Sequence, residues 1–198
     1  MKLVIASTNT GKLAEVSAAL ADTPGIDIVS LADIPGIPEI IEDGDTFIAN
    51  ALIKARAVCG ITGVPTLADD SGLVVDALDG APGILSARFA PTTPERNGKL
   101  LRLLRDVPDD RRTARFVCAM ALVRPDGFEW TTEGTVEGII TRESAGAEGF
   151  GYDPLFYYPP LNATFAEIPR DAKNTISHRG HALAAFRDAV AADGILGG

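Results

Sequence analysis

Asp69 and Asp70 stand side by side in LADDSGL, after an apolar run and ahead of Ser71-Gly72. Adjacent side chains at the end of a strand point in different directions. One carboxylate can then hold a metal while the other is hydrogen-bonded behind it or orients a water. The same spelling also suits a plain Asx turn. A second acidic group lies in IEDGDTF, where Glu42, Asp43 and Asp45 surround Gly44. Clustered loop acids are usually solvated, yet a hard cation such as Mg²⁺ takes one or two carboxylates plus substrate phosphates. Asp45 is better spent capping the helix that follows, which leaves Glu42 or Asp43 as the ligand.

The cations lie in other stretches. STNTGK, from Ser7 through Thr8, Asn9, Thr10 and Gly11 to Lys12, falls where a strand becomes a helix. Free backbone N–H groups and the positive end of a helix dipole favour an anion there. The likeness to a P-loop fails, because that pattern needs a glycine where Ala6 stands and a Ser or Thr where Leu13 stands. An ordinary capped helix start is the plainer alternative. KNTISHRG supplies Lys173, His178 and Arg179, donors suited to phosphate or carbonyl oxygens. EGFGYDP combines Phe150, Gly151, Tyr152 and Asp153, and an aromatic face there can stack on a purine. Core aromatics in a turn are the bland reading of the same residues. A zinc site lacks soft ligands, since the only two histidines are His178 and His181 and the two cysteines form no CxxC. A serine elbow is absent too, because no GxSxG occurs.

These groups need a scaffold. Leu3 to Ala6 reads as a buried strand, and residues 11–22 carry a helical stripe at Leu13, Val16 and Leu20. Residues 26–31 read as a strand and 32–44 as loop. Asp45 is the expected cap of a helix running to Val58, with Asn50 and Lys54 on one face. VPTLADDSGLVVDAL reads as strand, polar turn, strand. Residues 94–105 read as a short helix. Residues 113–123 and 128–140 flank the turn Pro125-Asp126-Gly127 and read as a long hairpin. Residues 144–175 read as loops with short strands, and residues 181–192 as a closing helix. The expected class is α/β with a mixed β-sheet flanked by helices.

The 198 residues suit one domain, 1–198, with room to be drawn into two lobes. The net charge of −9 argues against nucleic acid and anionic membrane as partners. Cys59 and Cys118 sit in apolar contexts and read as buried, reduced thiols. The apolar run after Lys2 is too short for a signal peptide, and no segment has the length of a membrane span, so the expected compartment is the cytoplasm.

An anion cradle with a lysine, acids for a hard metal, an aromatic-glycine loop and a cationic C-terminal motif make up the equipment of a Mg²⁺-dependent nucleotide hydrolase. These stretches closely resemble the inosine/xanthosine triphosphate pyrophosphatases, which act on noncanonical purine nucleotides. The resemblance is carried in order by STNTGK, EDGDTFIANALIKA, ADDSGLVVDALDGAPGILSARF, GFGYDP and KNTISHRGHAL. It implies hydrolysis of ITP, dITP and XTP to the monophosphate and pyrophosphate, a homodimer, Mg²⁺, and an elongated fold with its cleft between lobes. By motif position, Ser7 to Lys12 would hold the triphosphate, and Glu42 and Asp70 would bind Mg²⁺. Asp70 would also accept the proton of the attacking water. Ser71 would touch the substrate, and Lys54 would join the phosphate or metal shell. Phe150 to Asp153, Lys173, His178 and Arg179 would surround the nucleoside and base. Residues 90–112 carry nothing transferable, and His181 has no transferred role. The competing readings are a Maf-like pyrophosphatase, a nucleotide-binding regulator without turnover, and a phosphatase releasing orthophosphate.

Overall fold

In the computed structural model, residues 1–21, 23 and 25–197 are described. The chain forms β1 (Lys2–Ile5), α1 (Thr10–Leu20), β2 (Asp27–Ser30), α2 (Phe47–Thr62), β3 (Thr66–Val75), α3 (Thr93–Leu103), β4 (Thr113–Val123), β5 (Glu129–Ile140), β6 (Phe156–Tyr158), β7 (Ala163–Thr164), α4 (Arg170–Ile176) and α5 (His178–Asp193). The strands make one mixed sheet in the order β2-β1-β3-β4-β5-β6-β7. β1 pairs in parallel with β2 and β3, while β5–β6 and β6–β7 are antiparallel.

The contacts divide the chain into two compact units. The first holds residues 1–70, 118–134 and 179–198, and the second holds 71–117 and 135–178; β3, β4 and β5 contribute to both. In the first unit the pleat of β1 sends alternate side chains to opposite faces. Leu3 and Ile5 join Val16, Leu20, Met120, Leu122, Leu183 and Phe186, which brings in α1 and α5. Val4 and Ala6 join Ala51, Ala55, Val58 and Ala121, which brings in α2. A strand covered on both faces reads as an unbroken apolar run, and β1 does. The second unit is built on Phe116, Phe156 and Phe165 with Leu73, Val75, Leu100 and Leu104. Gly138 on β5 leaves room for the Phe156 ring, whose Cζ would lie 2.5 Å from an added Cβ. Arg112 is buried there, and its guanidinium donates to the carbonyls of Ile140 (2.7 Å), Leu104 (2.6 Å) and Thr141 (2.8 Å). A buried cation persists when its donors are satisfied in this way.

Local chemistry sets the helix ends. Asn9 caps α1, its Oδ1 accepting from the N–H groups of Gly11 (2.9 Å) and Lys12 (3.1 Å). α2 is capped by Thr46, whose Oγ1 accepts from the Ala49 N–H at 3.0 Å, and not by Asp45 as the sequence suggests. Both are good caps; Thr46 wins by being the residue directly before the first helical one. α2 ends at Gly63, with φ of 65° and its N–H on the Cys59 carbonyl. A capping box of Thr92 and Glu95 starts α3.

Several expectations are corrected. The stretch VPTLADDSGLVVDAL, read as strand, turn, strand, instead holds one ten-residue strand, β3, running straight through Asp69-Asp70-Ser71-Gly72. α4 stands in a region read as loops and short strands. The last helix starts at His178, three residues earlier than the periodicity suggests, because the SHRG stretch itself is helical. The expected end of α1 at Asp22 lies outside the described residues. Cys59 and Cys118 are both buried and free, as expected, and burial pushes the Cys118 thiol up to about 12. No helix among the described residues is long and apolar enough to cross a membrane.

Candidate active site

In the first unit, β3 organises the charged groups. Its period of two turns Asp69 and Asp70 to opposite faces. Asp69 is buried, whereas Asp70 is half-buried. The Asp69 Oδ2 lies 2.9 Å from the Lys12 ammonium of α1, and 3.2 Å from Nη2 and 3.4 Å from Nε of Arg179 on α5. Burial alone would raise the Asp69 pKa, but Lys12, Arg179 and then Lys54 outweigh it and hold the carboxyl far below the usual carboxylate range. The Arg179 Nη1 donates to Glu15 Oε2 at 2.5 Å, and the flanking carboxylates keep its guanidinium charged.

Asp70 responds the other way. Burial raises its pKa, Glu42 adds to the rise, and Lys12, the Asn50 amide and Lys54 only partly oppose it. Asn50 Nδ2 donates to Asp70 Oδ2 at 3.1 Å, and the Asn50 Oδ1 accepts from the Gly44 N–H at 2.8 Å. One turn later on α2, the Lys54 ammonium pairs with Glu42 Oε2 at 3.1 Å and donates to the Asp69 carbonyl at 3.0 Å. Glu42 is half-buried and engaged by Lys54, while Asp43 is exposed. Of the two acids left open by the sequence, Glu42 is therefore the one tied to this cluster. No group of three or more His, Cys, Asp or Glu that could hold a metal occurs among the described residues. Two oxygen-only carboxylates, Glu42 and Asp70, fit a cation that takes its remaining ligands from phosphate and water, as Mg²⁺ does.

The loop before α1 offers mainly its side chains. Ser7 is buried and its Oγ accepts from the Asn9 N–H at 3.2 Å, while Thr8, Asn9 and Thr10 are exposed. The N–H groups of Gly11 and Lys12 are already capped by Asn9.

In the second unit, Ser71 follows on β3 and is half-buried. Asp153 and Lys173 form a buried ion pair at 2.6 Å. Asp153 Oδ2 also accepts from the Phe150 N–H at 2.8 Å, and the Lys173 ammonium lies 4.9 Å from the Phe150 ring centre. A side chain at Gly149, where φ is 75°, would collide with the Asp153 carboxylate, so the glycine makes this turn possible. Phe150 is the exposed aromatic of the stretch, at 38%. Tyr152 turns inward and donates to the Ser86 carbonyl at 2.9 Å, and burial pushes its phenol up to about 12. Gly151 is held by Asn97, whose Nδ2 donates to its carbonyl at 3.2 Å. His178 is buried and stacks on Phe116, with ring centres 4.8 Å apart. His181 is exposed in the first turn of α5.

Sequence reasoning passes over Glu15 and Asn50 as site residues, and it singles out Asp69 beside Asp70 without naming its partners. Asn50 leaves a trace, being a poor helix former inside α2 and four residues before Lys54. Glu15 leaves none, because its burial in α1 shows only in the fold.

The Ham1 family profile matches residues 3–189. A dITP/XTP pyrophosphatase of Desulforamulus reducens is 53% identical over 186 residues, covering 92% of each chain. Another, of Geobacter sulfurreducens, is 49% identical over 197 residues, covering 98% of each. Among solved structures, a HAM1 protein from Coxiella burnetii matches with a TM-score of 0.89 at 42% identity, over 96% of this chain and 98% of that one. Nearly full-length agreement in sequence and in fold leads to one conclusion: this chain belongs to the Ham1 family.

Proposed function

We propose that this chain hydrolyses noncanonical purine nucleoside triphosphates, of the dITP and XTP type that its relatives are named for, to the monophosphate and pyrophosphate. The observation that carries the reading is the cluster on β3, where the half-buried Asp70 is held by Asn50 and the neighbouring Asp69 meets Lys12 and, through its carbonyl, the Lys54 that pairs with Glu42. Phosphoryl transfer asks a protein mainly for positioning and charge neutralisation. Glu42 and Asp70 would hold Mg²⁺, which would supply Lewis-acid polarisation of phosphate oxygens. The Asp70 carboxylate takes the proton of the water that attacks the α-phosphorus. Lys12 and Lys54 offset charge gathering on the leaving pyrophosphate. The side chains from Ser7 to Thr10 and that of Ser71 hold the substrate's polar groups.

For the nucleoside, Phe150 offers a stacking face and Asp153 with Lys173 fixes the loop that presents it. Gly151 and Tyr152 shape that loop. His178 is assigned to the purine's 6-oxo edge, whereas Arg179, which the family likeness places there too, has its guanidinium engaged by Asp69 and Glu15. Adenine carries an amino group there, and a site built on buried donors rejects a base that leaves them unpaired. The family likeness also supports a homodimer working on the cytoplasmic nucleotide pool.

Incubation with Mg²⁺ and a panel of dITP, ITP, XTP, GTP and ATP tests the proposal, with pyrophosphate and orthophosphate measured separately. Pyrophosphate as the first product from dITP, ITP and XTP, well ahead of ATP, is expected. Equal rates on ATP and ITP, or orthophosphate as first product, would overturn it.

A further inference from the structure

The family likeness assigns Asp69 no role of its own, yet it is the junction of a buried chain of charges. Lys12, Asp69, Arg179 and Glu15 follow one another at 2.9, 3.2 and 2.5 Å. They fasten the start of α1, the middle of β3 and the start of α5. The charges sum to zero, two cations against two carboxylates. Exposure is uneven along the chain: the Lys12 side chain is 16% exposed, against 4% for Asp69, 2% for Arg179 and 8% for Glu15. Lys12 is thus the end that faces outward, and the other three form its mount.

Such a mount is a poor device for stability alone, because well-packed apolar residues commonly serve a buried position as well as ions do. It is a good device for holding a lysine still. The four-carbon stem of lysine is flexible, and an ammonium anchored beforehand needs no reordering when charge develops near it. Asp69 would also repel an anionic substrate, so its presence beside Lys12 is not explained by substrate affinity.

We propose that Asp69 is a positioning residue for the hydrolysis. It does not touch the substrate; it holds the Lys12 ammonium where charge builds on the leaving pyrophosphate, and Arg179 with Glu15 fixes the Asp69 carboxylate. The proposal rests on the reading of Lys12 as a triphosphate ligand.

A double-mutant cycle on the full chain tests it, using Asp69→Asn, Lys12→Met and the double variant with dITP and Mg²⁺. Asp69→Asn is expected to lower kcat about tenfold or more without raising KM, and to cost less than about twofold in the Lys12→Met background. Equal losses in both backgrounds would mean general damage and would overturn the proposal. A raised KM with kcat retained would overturn it too, as the mark of direct substrate contact. If Asp69→Asn shows no cooperative melting, Asp69→Glu enters the same cycle, because it keeps the charge and shifts the carboxylate by one methylene. Wild-type kcat/KM in Lys12→Met would remove Lys12 from the reading and this proposal with it. Absence of pyrophosphate release by the wild-type chain would instead refute the function.

Discussion

Asp70→Asn is expected to cut kcat on dITP by about 10²–10⁴-fold, the usual worth of a positioned general base, while the protein melts no earlier than wild type. The substitution keeps the shape, and an amide oxygen can still accept the Asn50 Nδ2–H that Asp70 accepts now at 3.1 Å. Linkage supports the unchanged melting. A carboxyl whose folded pKa is raised favours folding only where it is protonated, and that contribution is lost as pH rises through the folded pKa. At neutral pH the Asp70 charge is therefore a cost, and asparagine removes it. The activity profile carries a second signature. Asp70 must be ionised to accept a proton, so its titration sets an acidic limb in the wild-type profile. That limb disappears from the residual activity of Asp70→Asn. Near-normal turnover in the variant would remove Asp70 from the mechanism.

Asp153→Ala carries the largest expected effect on stability. Its partner Lys173 has a side chain only 5% exposed, so removing the carboxylate strands a buried ammonium. Breaking a buried pair from one side costs about 3–5 kcal/mol. For a chain of this size that lowers the melting temperature by roughly 6–20 °C, since each kcal/mol shifts it by about 2–4 °C. The Phe150 N–H loses its acceptor as well, so the loop carrying the exposed aromatic loosens. Adding Lys173→Met removes the stranded charge and is expected to recover much of the melting temperature. Thermal melts followed by circular dichroism check both variants. A shift below about 2 °C in Asp153→Ala would show that the pair contributes little.

How far these features can be read from the sequence depends on how local their causes are. β1, β4 and β5 are legible because their burial leaves an apolar run or a clear turn between strands. β3 is not, because Asp69-Asp70-Ser71-Gly72 spells a turn by local propensity. Its place in the sheet between β1 and β4, and the cations that meet Asp69, keep it extended instead. α4 is hidden by its brevity and by its glycine- and proline-rich surroundings. In the candidate site, Lys12, Glu42, Lys54, Asp70 and Lys173 are legible through the motifs that carry them. The partner of each is not. Arg179 meets Asp69 across 110 positions and Glu15 across 164, and no pattern within one stretch encodes such a contact. Tyr152 shows the same limit, since the motif that singles it out says nothing of the Ser86 carbonyl that draws it inward.

Release of pyrophosphate alone does not say which phosphorus water attacks, because attack at the α- or the β-phosphorus gives the same two products. Hydrolysis of dITP in ¹⁸O-labelled water separates them. With Asp70 activating a water toward the α-phosphorus and the lysines stabilising pyrophosphate as it leaves, the label is expected in dIMP, with none in pyrophosphate. Label in the pyrophosphate would contradict the account.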